Sequence, residues 1–264
     1  MKNALVLLSV ITLFASCNKR TSLSGADSSG NKTSESLSCM AKAERQGFIK
    51  TSEHGKLLLY GGNGKTERDF DISGWLLKPC QLKYGLGRES FDALIHPEFI
   101  TVREAGEFFP DRERFLVATS PTEVKAYSIS LLTRHEVVND VINGRPIMAA
   151  YCVLADLGAI YSREYCNKVF TFGLSGYTYS DPQVWGGTDA FVLWDRETES
   201  LWWPLIDKAV SGDMQEVALE KYSGIWFETT LDVIKKKYPE ALVLKPGQSL
   251  NPPTSWRRFR RPCK

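Results

Sequence analysis

Three blocks decide how this chain folds: His135-Glu-Val-Val-Asn-Asp140, Tyr151-Cys-Val-Leu154 and Thr171-Phe-Gly-Leu-Ser-Gly176. The second block closes Ile147–Leu154, an unbroken apolar run bounded by Pro146 on one side and by Asp156 and Gly158 on the other. An apolar run of that length between turn residues predicts a strand buried on both faces. Cys152 then belongs to the central sheet, and the stretch from His135 to Gly176 forms the middle of the core. The same stretch carries the reactive side chains: a histidine, a cysteine beside a tyrosine, and the carboxylates Glu136, Asp140 and Asp156.

Outward from this centre, strand signals dominate. Phe115–Thr119 and Val124–Ile129 read as two strands about a Ser120-Pro121 turn, and Ala159–Tyr161, Val169–Leu174 and Phe191–Trp194 follow after the central run. Leu131–Ile142 reads as a strand end followed by a short helical or turn segment bearing His135 and Asn139. Thr101-Val-Arg-Glu104 has capping-box form and opens a helix that stops before Pro110; Thr229 or Thr230 caps a last helix through Lys237, and Ala241–Leu244 closes the domain as a strand. Lys56–Tyr60 leads into Gly61-Gly62-Asn63-Gly64, which lacks phosphate-loop spacing and reads as a turn. The sum is a β-rich α+β single domain with mostly antiparallel or mixed sheets and a few short helices. Strands and helices do not alternate as a doubly wound or barrel fold requires.

The ends differ in kind. Lys2, the apolar run Ala4–Phe14 and Ala15-Ser16-Cys17 read as a signal peptide whose Leu-Phe-Ala-Ser-Cys ending has lipobox form, with Cys17 as the lipidation site; a plain signal peptide cut nearby is the alternative. Residues 1–17 are thus assigned to the signal, 18–38 to a polar, flexible tether, 39–250 to the globular domain and 251–264 to a basic tail. The tether holds too little apolar surface to offset its ordering entropy. These readings place the protein in the cell envelope, anchored through lipid to a membrane on the outer side of the cytoplasmic boundary. A net charge of +2 gives no pull toward nucleic acid. Trp185, Trp194, Trp202, Trp203 and Trp226 are assigned first to packing and second to a ligand or glycan surface. Of the cysteines beyond Cys17, Cys39, Cys80, Cys166 and Cys263 are the candidates for disulfides, with connectivity open, and Cys152 is the free thiol.

The central blocks also resemble a prokaryotic family known as a domain of unknown function (DUF 3179). The resemblance rests on Ala126-Tyr127, His135–Asp140, Gly144 with Pro146, Tyr151-Cys152 with Leu154, Thr171–Gly176, and Asp195-Arg196 with Thr198 and Ser200-Leu201-Trp202. It runs from about Phe91 to Leu244, with Tyr238-Pro239 in place of a family His-Pro. Where the family pattern is Cys-Pro-Leu-Cys-Gly, this chain has Cys152-Val-Leu-Ala-Asp156, so the second cysteine is absent. A Cys-x-x-Cys pair shuttles between dithiol and disulfide; Cys152 has no local partner for that. Either a dithiol activity has been lost here or the family's chemistry needs only the first cysteine.

Two functions follow from the residues. In the first, His135 and Cys152, supported by Asp140 and Tyr151, form a thiol site or bind a soft transition metal such as copper. With only His54, His96 and His135 in the chain, a mixed site of His135, Cys152 and Asp140 is the economical metal set. In the second, Cys152 is an inert core thiol and the protein is a non-enzymatic envelope binding or assembly module with a protein or glycan partner. There is no Gly-x-Ser-x-Gly elbow or His-Glu-x-x-His motif. Ser175 is assigned to a turn, and Glu136, Asp140 and Asp156 are too ordinary to indicate a hydrolase.

Overall fold

The computed structural model describes residues 39–43, 47–62 and 69–248. The residues read as a signal peptide with Cys17, as a tether and as a basic tail, together with Cys263, lie outside the described residues. Strands β1 (Ile49–Thr51), β2 (Leu57–Leu59) and β3 (Phe70–Asp71) make a small antiparallel sheet. After β4 (Leu82–Tyr84), β5 (Leu94–Ile95) and β6 (Phe99–Thr101) comes helix α1 (Val102–Phe108). Strands β7 (Arg114–Thr119) and β8 (Val124–Ser128) lead to helix α2 (Ile129–His135), and β9 (Val137–Ile142), β10 (Arg145–Cys152) and β11 (Leu157–Ser162) follow as a meander. The chain continues through β12 (Glu164–Tyr165), β13 (Lys168–Val169), β14 (Phe172–Tyr179), β15 (Ala190–Asp195), β16 (Leu201–Trp203), β17 (Lys208–Ala209), β18 (Trp226–Thr230), helix α3 (Leu231–Lys237) and β19 (Leu242–Leu244).

The strand holding Cys152 is central, as the apolar run predicts. Its sheet has the order β11-β10-β9-β5, with β10 antiparallel to both neighbours and β5 parallel to β9. Successive side chains of a strand point to opposite faces. Met148, Ala150 and Cys152 face a core shared with the antiparallel sheet β17-β16-β15-β14-β4. Ile147, Ala149 and Tyr151 face a second core shared with the sheet β18-β7-β8-β19-β6 and the three helices. Covering both faces requires apolar residues at every position, and that explains why Ile147–Cys152 does not alternate; the expected strand runs two residues too far, since Val153 and Leu154 lie in the following turn and are exposed. The first core is rich in large rings: Trp202, Trp203, Tyr177, Tyr179, Phe170 and Phe172 are fully buried. The late tryptophans are therefore mainly packing, except Trp185, which is 62% exposed.

Local signals fare unevenly. Thr101 and Glu104 form the expected capping box, with Thr101 N donating to Glu104 Oε2 at 2.8 Å and Glu104 N to Thr101 Oγ1 at 3.3 Å. Thr230 occupies the N-cap of α3, yet its hydroxyl donates to the Asp232 carboxylate and caps no backbone N–H. The expected order within Leu131–Ile142 is reversed: the helix comes first and the strand second. Ser128 Oγ caps α2 by accepting from Leu131 N, and β9 then pairs with β10, which overrides the weak local preference. Cys39 and Cys80 form a disulfide, Cys166 is likewise disulfide-bonded, and Cys152 is the free, buried thiol among the described residues.

Candidate functional site

Helix α2 ends at Glu136, which adopts the left-handed conformation (φ 55°, ψ −25°) and donates its N–H to Leu132 O. That C-terminal position normally takes glycine or asparagine, and a residue with a long side chain there costs about 1 kcal/mol. The turn aims the chain straight into β9, and Tyr151 N donates to Glu136 O at 2.9 Å, which sets Glu136 beside the end of β10. Cys152 closes that strand. Its Sγ accepts from Phe191 N at 3.4 Å and from the backbone N–H groups of Leu154 and Ala155 in the following turn.

A second wall comes from the Thr171–Gly176 block. Ser175 and Gly176 bulge from the ladder between β14 and β15, with Ser175 Oγ donating to Val192 O at 2.6 Å and accepting from Tyr177 N. Gly176 has φ 86°, and a Cβ there would lie 2.2 Å from the carbonyl carbon of Gly87, so glycine is required for the two segments to touch. Gly85 N donates to Gly176 O and Glu89 N to Leu174 O, which docks the loop over 85–89 onto the bulge. Ion pairs lock the loop from behind: Glu89 with buried Arg196, and Arg88 with Glu199 at 2.6 Å, the Arg88 guanidinium lying 3.7 Å from the Trp194 ring centre.

Between these walls lies a cavity of about 320 Å³ lined by Glu136 and Cys152, by the aromatic residues Phe91, Tyr177 and Phe191, and by Leu174. Its remaining walls include Leu86, Val153 and Leu154, three apolar residues that stay 60%, 45% and 62% exposed. Burial pushes the Glu136 carboxyl up to about 7. Burial also raises the Cys152 thiol, against the three backbone N–H groups that favour the thiolate; the charge of Glu136 adds to the rise. An apolar hollow with a few convergent polar groups is the ordinary form of a small-molecule site.

Of the four residues proposed for the thiol or metal site, only Cys152 lines the cavity; His135, Asp140 and Tyr151 do not. His135 Nδ1 donates to Asp92 O at 2.8 Å, which selects the Nδ1–H tautomer. Asp140 faces the other core, where it accepts from Lys125 Nζ at 3.0 Å and Tyr127 OH at 2.8 Å. It pairs with Ile147, five residues along β10 from Cys152 and on the opposite face, a separation of roughly 17 Å along the strand. Tyr151 also faces away from the thiol and donates to Asp156, itself held by Arg114. Among the described residues no group of three or more His, Cys, Asp or Glu side chains is placed to hold a metal ion. Glu136, set aside in the sequence as ordinary, is the carboxyl that shares the cavity lining with Cys152. No spacing announces it, since its place depends on the left-handed turn and on β10 folding back beside it.

The other motifs are structural. Asn139 bridges two sheets, donating to Phe172 O at 2.8 Å and accepting from Phe172 N at 2.8 Å. Asp195 is fully buried and accepts from Thr198 N, Thr198 Oγ1 and Trp202 Nε1 at 2.6–2.9 Å, which closes the turn between β15 and β16. A family model described as protein of unknown function (DUF3179) matches residues 88–263. No curated protein and no solved structure matches the chain.

Proposed function

The chain belongs to the DUF3179 family of proteins of unknown function, and on that premise we propose that it is a secreted, lipid-anchored envelope protein whose apolar cavity at Cys152 binds a small molecule. The observation that carries the binding reading is the cavity itself, preformed, apolar and floored by a thiol and a carboxyl. Burial of Cys152 supports binding over nucleophilic catalysis, because the thiolate is the reactive form and burial disfavours it. Of the expected metal set only Cys152 lines the cavity, so a copper or other soft-metal site has less support than an organic ligand. The lipobox ending at Cys17 and the polar tether support the anchor, and the Cys39–Cys80 disulfide suits an oxidising compartment.

The test uses Cys152 as a reporter in the full-length protein. Small neutral methanethiosulfonates should label it, anionic methanethiosulfonates of similar size should label it at least about tenfold more slowly, and cavity ligands should slow labelling. Equal rates for neutral and anionic reagents, or no native-state labelling at all, would show that no accessible apolar cavity exists. The full-length protein should incorporate labelled fatty acid and Cys17→Ser should not; equal incorporation, or none in the parent, would remove the lipid anchor at Cys17.

A further inference from the structure

Resting on the proposed cavity, we infer that its ligand is a small organic cation, an ammonium group carried on an apolar or aromatic body. The lining carries one carboxyl and no lysine, arginine or histidine. An anionic ligand would meet Glu136 with nothing to offset the repulsion, whereas an ammonium would pair with it inside apolar walls that strengthen the attraction. The aromatic residues Phe91, Tyr177 and Phe191 are part of the same lining. Aromatic faces around a cavity attract cations through their quadrupoles and are the recurring means of holding alkylated ammonium groups. Tyr177 OH donates to Tyr60 O at 2.7 Å, which engages its polar end outside the cavity.

The charges on the surrounding elements are paired or, like Arg134 and Asp92, exposed to solvent. On the loop over 85–89, Arg88 pairs with Glu199 and Glu89 with Arg196. On α2, Arg134 is exposed and the His135 ring is held by Asp92 O. After β10, Asp156 is paired with Arg114. The other lining residues with polar side chains that could face the ligand are Cys152, Thr133 and Thr178. Glu136 is therefore the lining group whose charge changes between acid and mildly basic solution.

The experiment is calorimetric titration of the full-length protein with phenethylammonium, phenethyl alcohol and phenylacetate, three probes of similar shape and different charge. At about pH 8.5, below the ordinary range of an aliphatic amine, the ammonium should bind about tenfold more tightly than the alcohol, with phenylacetate weakest. At about pH 5.5 that preference should shrink to a few-fold, and Glu136→Gln should show the same few-fold preference at both pH values. Slowing of Cys152 labelling by the ammonium, measured in the parent protein, gives the same ranking without any variant. If the alcohol or phenylacetate binds as tightly as the ammonium, the cation inference is overturned and the cavity reading stands. If none of the three binds and none slows Cys152 labelling, both readings fall.

Discussion

Glu136 and Asp195 are both carboxyls pushed up to about 7 by burial, yet they sit in opposite kinds of place. Asp195 is completely enclosed, and the hydrogen bonds from Trp202 and Thr198 pull its pKa back down against the burial. It is a fastener between two strands. Glu136 shows the effect of burial alone, faces a hollow, and sits on a strained turn. A perturbed acid therefore points to function only when its unspent capacity meets space that a ligand can fill.

The sharpest way to break this comparison is to remove each carboxyl. Asp195→Ala leaves the buried Trp202 indole N–H without a partner and releases the half-buried Thr198 N–H, and should cost about 3 kcal/mol in urea denaturation at neutral pH; a loss under about 1 kcal/mol would mean the turn does not depend on it. Glu136→Gln should behave in the reverse sense. The folded pKa of about 7 lies above the ordinary 4.5, so the folded state binds the extra proton. The parent is unpenalised below about pH 4.5, loses stability as pH rises toward 7, and carries the full cost above that. The variant should match the parent near pH 4.5 and exceed it by at most about 3 kcal/mol at pH 8. Asp195 titrates in the same direction, so the difference between parent and variant is the quantity to measure. A pH-independent difference would return Glu136 to the class of ordinary surface acids. The smallest effect is expected at the exposed cavity wall. Leu154→Ser should change stability by less than about 0.5 kcal/mol while altering the rate at which neutral reagents reach Cys152; an unchanged rate would place the entrance elsewhere.

Much of the architecture was legible because its signals are local or periodic. The apolar run announced a doubly covered strand, which ends at Cys152 and not at Leu154, and Thr101 with Glu104 announced a helix start. Cys152 stood out as the free thiol, and Cys39, Cys80 and Cys166 as cysteines for pairing. The helix and strand within Leu131–Ile142 were misordered because seven residues of helix and six of strand give too short a period to separate. The site was read only in part. Within one block, His135 anchors a carbonyl, Glu136 lines a cavity, Asn139 ties two sheets and Asp140 pairs with Lys125, and nothing in residue type alone separates the four.

By itself, then, the sequence determined the strand-rich class, the buried central strand, the free thiol and the family blocks, since composition and spacing record burial directly. Only the tertiary structure decided which acid shares the cavity lining with that thiol. Alternate residues of β9 and β10 project to opposite cores, so Asp140 and Cys152 part company while the turn at Glu136 brings a neglected carboxyl to the cavity.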